Sequence, residues 1–112
     1  MTITEQIQGS VTVLGLKGTF MGDPETSMLQ AKKFQLLEAN RMNIVLDLSE
    51  LTFINSAGLG SLIAALVSTR ERGGDLRLAT LSQNVDFVIH KVQLDSAFKI
   101  FKTVDEAVSS FE

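Results

Sequence analysis

The sequence predicts an α/β fold: a single domain over residues 1–112, with a mixed, mostly parallel sheet of four to five strands, an N-terminal hairpin and about four helices. Three observations lead there. The run Asn43-Ile44-Val45-Leu46-Asp47-Leu48 is apolar almost throughout, as in a central strand covered on both faces. Leu59, Leu62, Ile63, Leu66 and Val67 recur at i, i+3, i+4, i+7 and i+8, the stripe of an amphipathic helix. Strand-like and helix-like segments then alternate to the C-terminus, which implies parallel strands joined by right-handed helical crossovers. A chain of 112 residues buries roughly 65% of its unfolded surface, enough for one core.

The elements follow in order. Ile3–Gln8 and Val11–Gly18 are short β-type runs around Gly9-Ser10, a pair suited to a tight hairpin turn. Asp23 is a candidate cap for a first helix over Pro24–Ala39, with Pro24 at its first position. The central strand Asn43–Leu48 leads into a loop over Ser49–Asn55, and the leucine-striped helix after it ends near Arg72-Gly73-Gly74. Asp75–Ala79 reads as a strand, and Ser82 as the cap of a helix carrying Val85, Val88, Ile89 and Val92. Ala97–Phe101 forms a last short strand, and Thr103-Val104-Asp105-Glu106 is a capping box opening a terminal helix to about Phe111.

Composition excludes several chemistries. There are no cysteines, hence no disulfide framework and no thiolate metal site, and a lone His90 rules out a histidine metal cluster. Neither a metal nor a cofactor is expected. A net charge of −3 without a Lys/Arg cluster argues against nucleic acid as a partner. No stretch approaches the roughly 18 apolar residues of a membrane span, and no basic-then-apolar leader opens the chain, so a cytoplasmic protein without membrane insertion is expected.

The informative stretch joins the central strand to the leucine-striped helix: Asp47-Leu48-Ser49 through Phe53-Ile54-Asn55-Ser56-Ala57-Gly58-Leu59-Gly60. The first N–H groups of a helix are unpaired and suit an anion. A catalytic Ser56 would need a base, and the one histidine is predicted near the C-terminal end of the third helix, a surface position. Neither the Gly-x-Ser-x-Gly of a nucleophile elbow nor a phosphate-loop pattern is present. Asn55 and Ser56 could simply cap the helix. Yet Ser56, Gly60, Ala64 and Ser68 follow at i+4 spacing, with Ala57, Ser61 and Ala65 beside them. That face lacks the long polar side chains of an exposed helix, so either another helix covers it or a partner docks there. Asp47, at the carboxyl end of the central strand, is expected to hold the Ser49–Asn55 loop through its N–H groups.

The stretch closely resembles the signature of the STAS domains of bacterial anti-sigma factor antagonists. The likeness extends to Val13-Leu14-Gly15-Leu16-Lys17-Gly18, Ile44-Val45-Leu46-Asp47, Leu76-Arg77-Leu78 and Leu94–Phe101, with Glu106-Ala107 in the last helix. The resemblance implies a non-catalytic protein that binds an anti-sigma factor serine kinase and so frees a sigma factor. Phosphorylation of Ser56, one acceptor position used in the family (other members use the next, here Ala57), would block that binding, and a PP2C-type phosphatase would restore it. The predicted docking residues are Asn55, Ser56, Ala57, Gly58, Gly60, Ser61, Ala64 and Ser68, supported by Asp47 and Asp23. Two departures from the family pattern stand out: Asn55 replaces the usual Asp before the serine, and Met21 follows the first hairpin where an acidic residue is common, with Asp23 two places later. Alternatives within the same fold are a non-phosphorylated scaffold subunit of a lipid-transport or stress-signalling complex, and a small-ligand or nucleotide sensor with a pocket near Asp47 and Ser56.

Overall fold

The structure is a computed structural model that describes Met1–Glu112. It has β1 (Thr2–Gln8), β2 (Val11–Phe20), α1 (Glu25–Glu38), β3 (Asn43–Asp47), β4 (Leu51–Ile54), α2 (Ser56–Glu71), β5 (Asp75–Ala79), α3 (Gln83–Lys91), a 3-10 turn (Leu94–Ser96), β6 (Ile100–Phe101) and α4 (Val104–Ser109). The sheet order is β1-β2-β3-β5-β6, and β4 pairs with β2 off this path. Only the β1–β2 hairpin is antiparallel.

β3 is the middle strand, as its apolar run demands. Ile44 and Leu46 point into the larger core with Leu14, Leu16, Leu76 and Leu78, beneath α1, α2 and α3. Val45 points the other way, into a smaller cluster with Val11, Val13 and Ala79 that α4 closes through Ala107 and Val108. Burial on both faces is why no residue of this strand core alternates with a polar one.

Three expectations need correction. Leu51–Ile54, expected within a loop, is a strand that pairs in parallel with the far end of β2, past a register shift at Gly18/Thr19. The sheet therefore has six strands, with β2 running on to Phe20. Pro24 stands just outside α1 and makes no side-chain cap; the Asp23 carboxylate reaches instead to Ser27, accepting its N–H at 3.1 Å and its hydroxyl at 2.8 Å. Ser82 does flank α3, but its hydroxyl donates to the Leu51 carbonyl at 2.5 Å and ties the helix to β4 rather than capping it.

Other local signals act as expected. Thr103 Oγ1 accepts the Glu106 N–H at 3.1 Å to open α4. α2 ends on Gly73, whose φ of 90° favours glycine; Gly73 N–H donates to the Arg70 carbonyl and Gly74 N–H to Thr69, each at 3.0 Å, which closes the last turn. Ala97–Phe101 shortens to a two-residue strand, because Leu94–Ser96 and the residues after it turn before extending.

Candidate functional site

Asn55 organises the junction between β4 and α2. Its Oδ1 accepts the Gly58 N–H at 3.0 Å, its carbonyl accepts the Leu59 N–H at 2.9 Å, and its Nδ2 donates to the Met21 carbonyl at 3.0 Å. One side chain thus caps the helix and holds the β2–α1 loop against it. The amide matters: a carboxylate could make the first bond but not donate the last.

Ser56 is the first residue of α2 and is exposed, as is Ala57. Since Asn55 does the capping, the exposed Ser56 hydroxyl is not the group that caps α2. The N–H groups of Ser56 and Ala57 remain unpaired at the positive end of the helix dipole.

The small residues of α2 divide into two sets. Gly60 and Ala64 are exposed in line with Ser56, and Val67, expected on the apolar stripe with Leu66, is corrected to this open line at 48% exposure. Ser68 is half-buried, and its hydroxyl donates back to the Ala64 carbonyl at 2.9 Å. Ser61 and Ala65 are buried instead, with Thr69. Gln30 of α1 donates to both the Ser61 carbonyl and its hydroxyl, at 3.0 and 3.1 Å. Gly58 lies under the end of β2, where a Cβ would stand 2.3 Å from the Phe20 carbonyl oxygen. The expectation that Gly58 and Ser61 face a partner is therefore corrected: both are packed inside the domain. Of the two causes weighed for this face, a covering helix applies to the Ser61 flank, while the Ser56, Gly60 and Ala64 flank is open to solvent.

Asp47 holds the loop as expected. Its Oδ1 accepts the Ser49 N–H at 3.1 Å and the hydroxyl of Thr80. A cleft of about 100 Å³ beside it is lined by Thr2, Thr4, Gly15, Lys17, Ser49 and Glu50 among others, and Ser56 is not part of it. None of the main clefts joins Asp47 to Ser56, and this one is smaller than the roughly 300–1,000 Å³ of a small-molecule pocket.

His90 is exposed on α3, engaged with Asp86 and Asp95 at 3.1 and 3.8 Å rather than with any serine. The Asp86 carbonyl contact, helped by the two carboxylates, holds its pKa above the usual histidine value. No group of three or more His, Cys, Asp or Glu side chains is placed to hold a metal ion.

The exposed Ser56 hydroxyl heads α2 on a sheet of this strand order. A family model for the STAS domain matches residues 2–107. The chain belongs to the STAS domain family. A Thermotoga maritima protein assigned as an anti-sigma factor antagonist is similar at 25% identity, over 96% of this chain and 92% of that one, with a TM-score of 0.87. An anti-sigma factor antagonist from Mycobacterium paratuberculosis aligns at 24% identity, over 97% of this chain and 92% of that one, with a TM-score of 0.82. The Bacillus cell fate determinant SpoIIAA shares the fold in both of its forms. The unphosphorylated one matches at 15% identity, over 97% and 96% of the two chains, with a TM-score of 0.75. The phosphorylated one matches at 17% identity, over 99% and 100%, with a TM-score of 0.76. The STAS fold thus accounts for the six-stranded sheet, the four helices and the N-terminal β1–β2 hairpin.

Proposed function

We propose that this STAS domain is an anti-sigma factor antagonist. In its unmodified state it binds an anti-sigma factor that is also a serine kinase, and phosphorylation of Ser56 ends the binding; a PP2C-type phosphatase resets it. The observation that carries this is the freedom of Ser56: exposed, relieved of capping by Asn55, and at the head of the bare line Gly60–Ala64–Val67. Docking falls to Asn55, Ser56, Ala57, Gly60, Ala64 and Ser68, while Gly58 and Ser61 shape the surface from beneath. Asp47 and Asp23 support the flanking loops. The domain contributes binding rather than catalysis. No helix is long and apolar enough to cross a membrane, which suits a cytoplasmic regulator.

Energetics favour a local switch. A phosphate adds a charge of about −1.5 to −2. At the N-terminus of α2 it meets the unpaired N–H groups of Ser56 and Ala57, an arrangement worth roughly 0.3 to 1 kcal/mol, so the domain accepts it. A docked interface does not, because burying an unpaired charge costs several kcal/mol, while a hundredfold loss of affinity takes only about 2.8 kcal/mol. The likeness of both SpoIIAA forms to one fold supports a switch without refolding.

The test is calorimetric binding of the partner kinase to Ser56→Asp and Ser56→Ala. Ser56→Ala is expected to bind like the parent and Ser56→Asp about a hundredfold more weakly. Equal binding by the two would show that charge at this position is not the control.

A further inference from the structure

The two edges of the sheet are built differently. β6 is two residues long, lies between Lys99 and Lys102, and has α4 packed along it. β1 is seven residues long, pairs with β2 in unbroken register, and has no strand on its other side. Natural proteins blunt such edges with proline, lysine, bulges, short strands or a covering element. β1 has no proline, no lysine and no bulge. Its one charge, Glu5, is neutralised by Lys32 of α1 at 2.8 Å.

The strand is also complementary to itself. Antiparallel pairing about a two-fold axis through Glu5 sets Ile3 against Ile7, Thr4 against Gln6, and Thr2 against Gln8 of a second copy. Ile7 is 58% exposed in the single chain. In the pair it lies across from Ile3, at the mouth of a groove of about 470 Å³ where Met1, Met28 and Ala31 meet Lys32 and Gln35. The other face carries Thr and Gln pairs, which hydrogen-bond across strands. The two Glu5 carboxylates meet on the axis, where like charges alone would repel. Each brings its own Lys32, so the four charges sum to zero.

We propose that the β1 edge is a homodimer interface, in which two copies pair antiparallel along Thr2–Gln8 with the two-fold axis through Glu5, joining their sheets into one. It uses none of the residues assigned to the Ser56 site and stands or falls separately from that function.

Because the chain has no cysteine, single replacements report the register directly. Directly opposed residues have Cβ atoms about 4.5–5.5 Å apart, close enough for a disulfide after slight adjustment. Glu5→Cys is expected to oxidise to a covalent dimer. Thr4→Cys mixed with Gln6→Cys, which keeps Glu5, is expected to cross-link while neither does alone. In sedimentation equilibrium the parent chain is expected to dimerise, and Ile7→Lys to raise the dissociation constant at least about tenfold with an unchanged circular dichroism spectrum. A parent chain that stays monomeric up to about 1 mM would overturn the proposal. So would a dimer in which Glu5→Cys cross-links no better than Gly60→Cys on the far helix.

Discussion

The two flanks of α2 are built from the same kinds of residue for opposite reasons. On one flank, Gly58 lies under the end of β2, Ser61 is held by Gln30 of α1, and Ala65 and Thr69 are buried beside them. On the other, Ser56, Gly60, Ala64 and Val67 face solvent, and nothing lies within 4 Å of where a Gly60 Cβ would be. Smallness therefore marks close packing inside the domain on one side and vacant space on the other. Sequence spacing alone merges the two, since residues on adjacent lines of a helix differ by a single step of 100°.

Substitutions should pull the flanks apart. The largest effect is expected from Gly58→Ala, whose methyl would meet a backbone carbonyl that cannot move freely. Overpacking of this kind costs about 3 kcal/mol or more, and thermal unfolding should show a melting temperature lower by roughly 12 °C or more. Next comes Gln30→Ala, which removes both hydrogen bonds to Ser61 and leaves its buried hydroxyl to find another partner. Urea unfolding is expected to register a loss of roughly 1–2 kcal/mol. On the open flank the sign reverses. Gly60→Ala should stabilise the isolated domain by about 0.5–1 kcal/mol, since alanine is the better helix residue. If the line docks a partner, the same methyl weakens binding of the kinase; a variant that gained stability and lost no affinity would separate Gly60 from the interface.

The smallest contrast concerns pH. The covered flank ends beside Arg70, whose Nε donates to Asp75 at 2.9 Å, while Arg77 holds the other carboxylate oxygen at 2.9 Å. Burial pushes the Asp75 carboxyl up, but the bonds from Arg77 and Arg70 outweigh it and hold it below the ordinary aspartate value. Because folding lowers this pKa, its contribution to stability is complete above the ordinary aspartate range and is lost as pH falls through the folded value. Asp75→Asn should flatten the acid limb of a stability–pH profile. The open line contains no titratable side chain, so binding through it should not follow that limb.

Much of this architecture is legible in the residues. Asp75–Ala79 is a strand to the residue, the leucine stripe and the Gly73-Gly74 stop bracket α2, and Asn55-Ser56 marks its start. β4 was hidden because four residues with only Leu51 and Ile54 buried carry too little periodicity, and its partner is the tail of β2 rather than a sequence neighbour. Ser61 was misplaced because its burial depends on Gln30, which lies 31 residues earlier. Ser82 reads as a cap by type, but the Leu51 carbonyl competes for its hydroxyl, a contact set by tertiary packing. Asp23 and Pro24 mark a helix start correctly in type and miss it by one position.

β2 belongs to two ladders. Val11–Gly15 pairs with β3 in the main sheet, and beyond the shift at Gly18 the strand pairs with β4 instead. Phe20 then accepts the Asn55 N–H through its carbonyl, at 3.2 Å. Phe20, Leu51 and Ile54 are all buried in the larger core, so the end of β2 and β4 support the start of α2 as one packed unit. Anything that reaches Ser56 therefore meets a helix start braced from below by the ends of two strands.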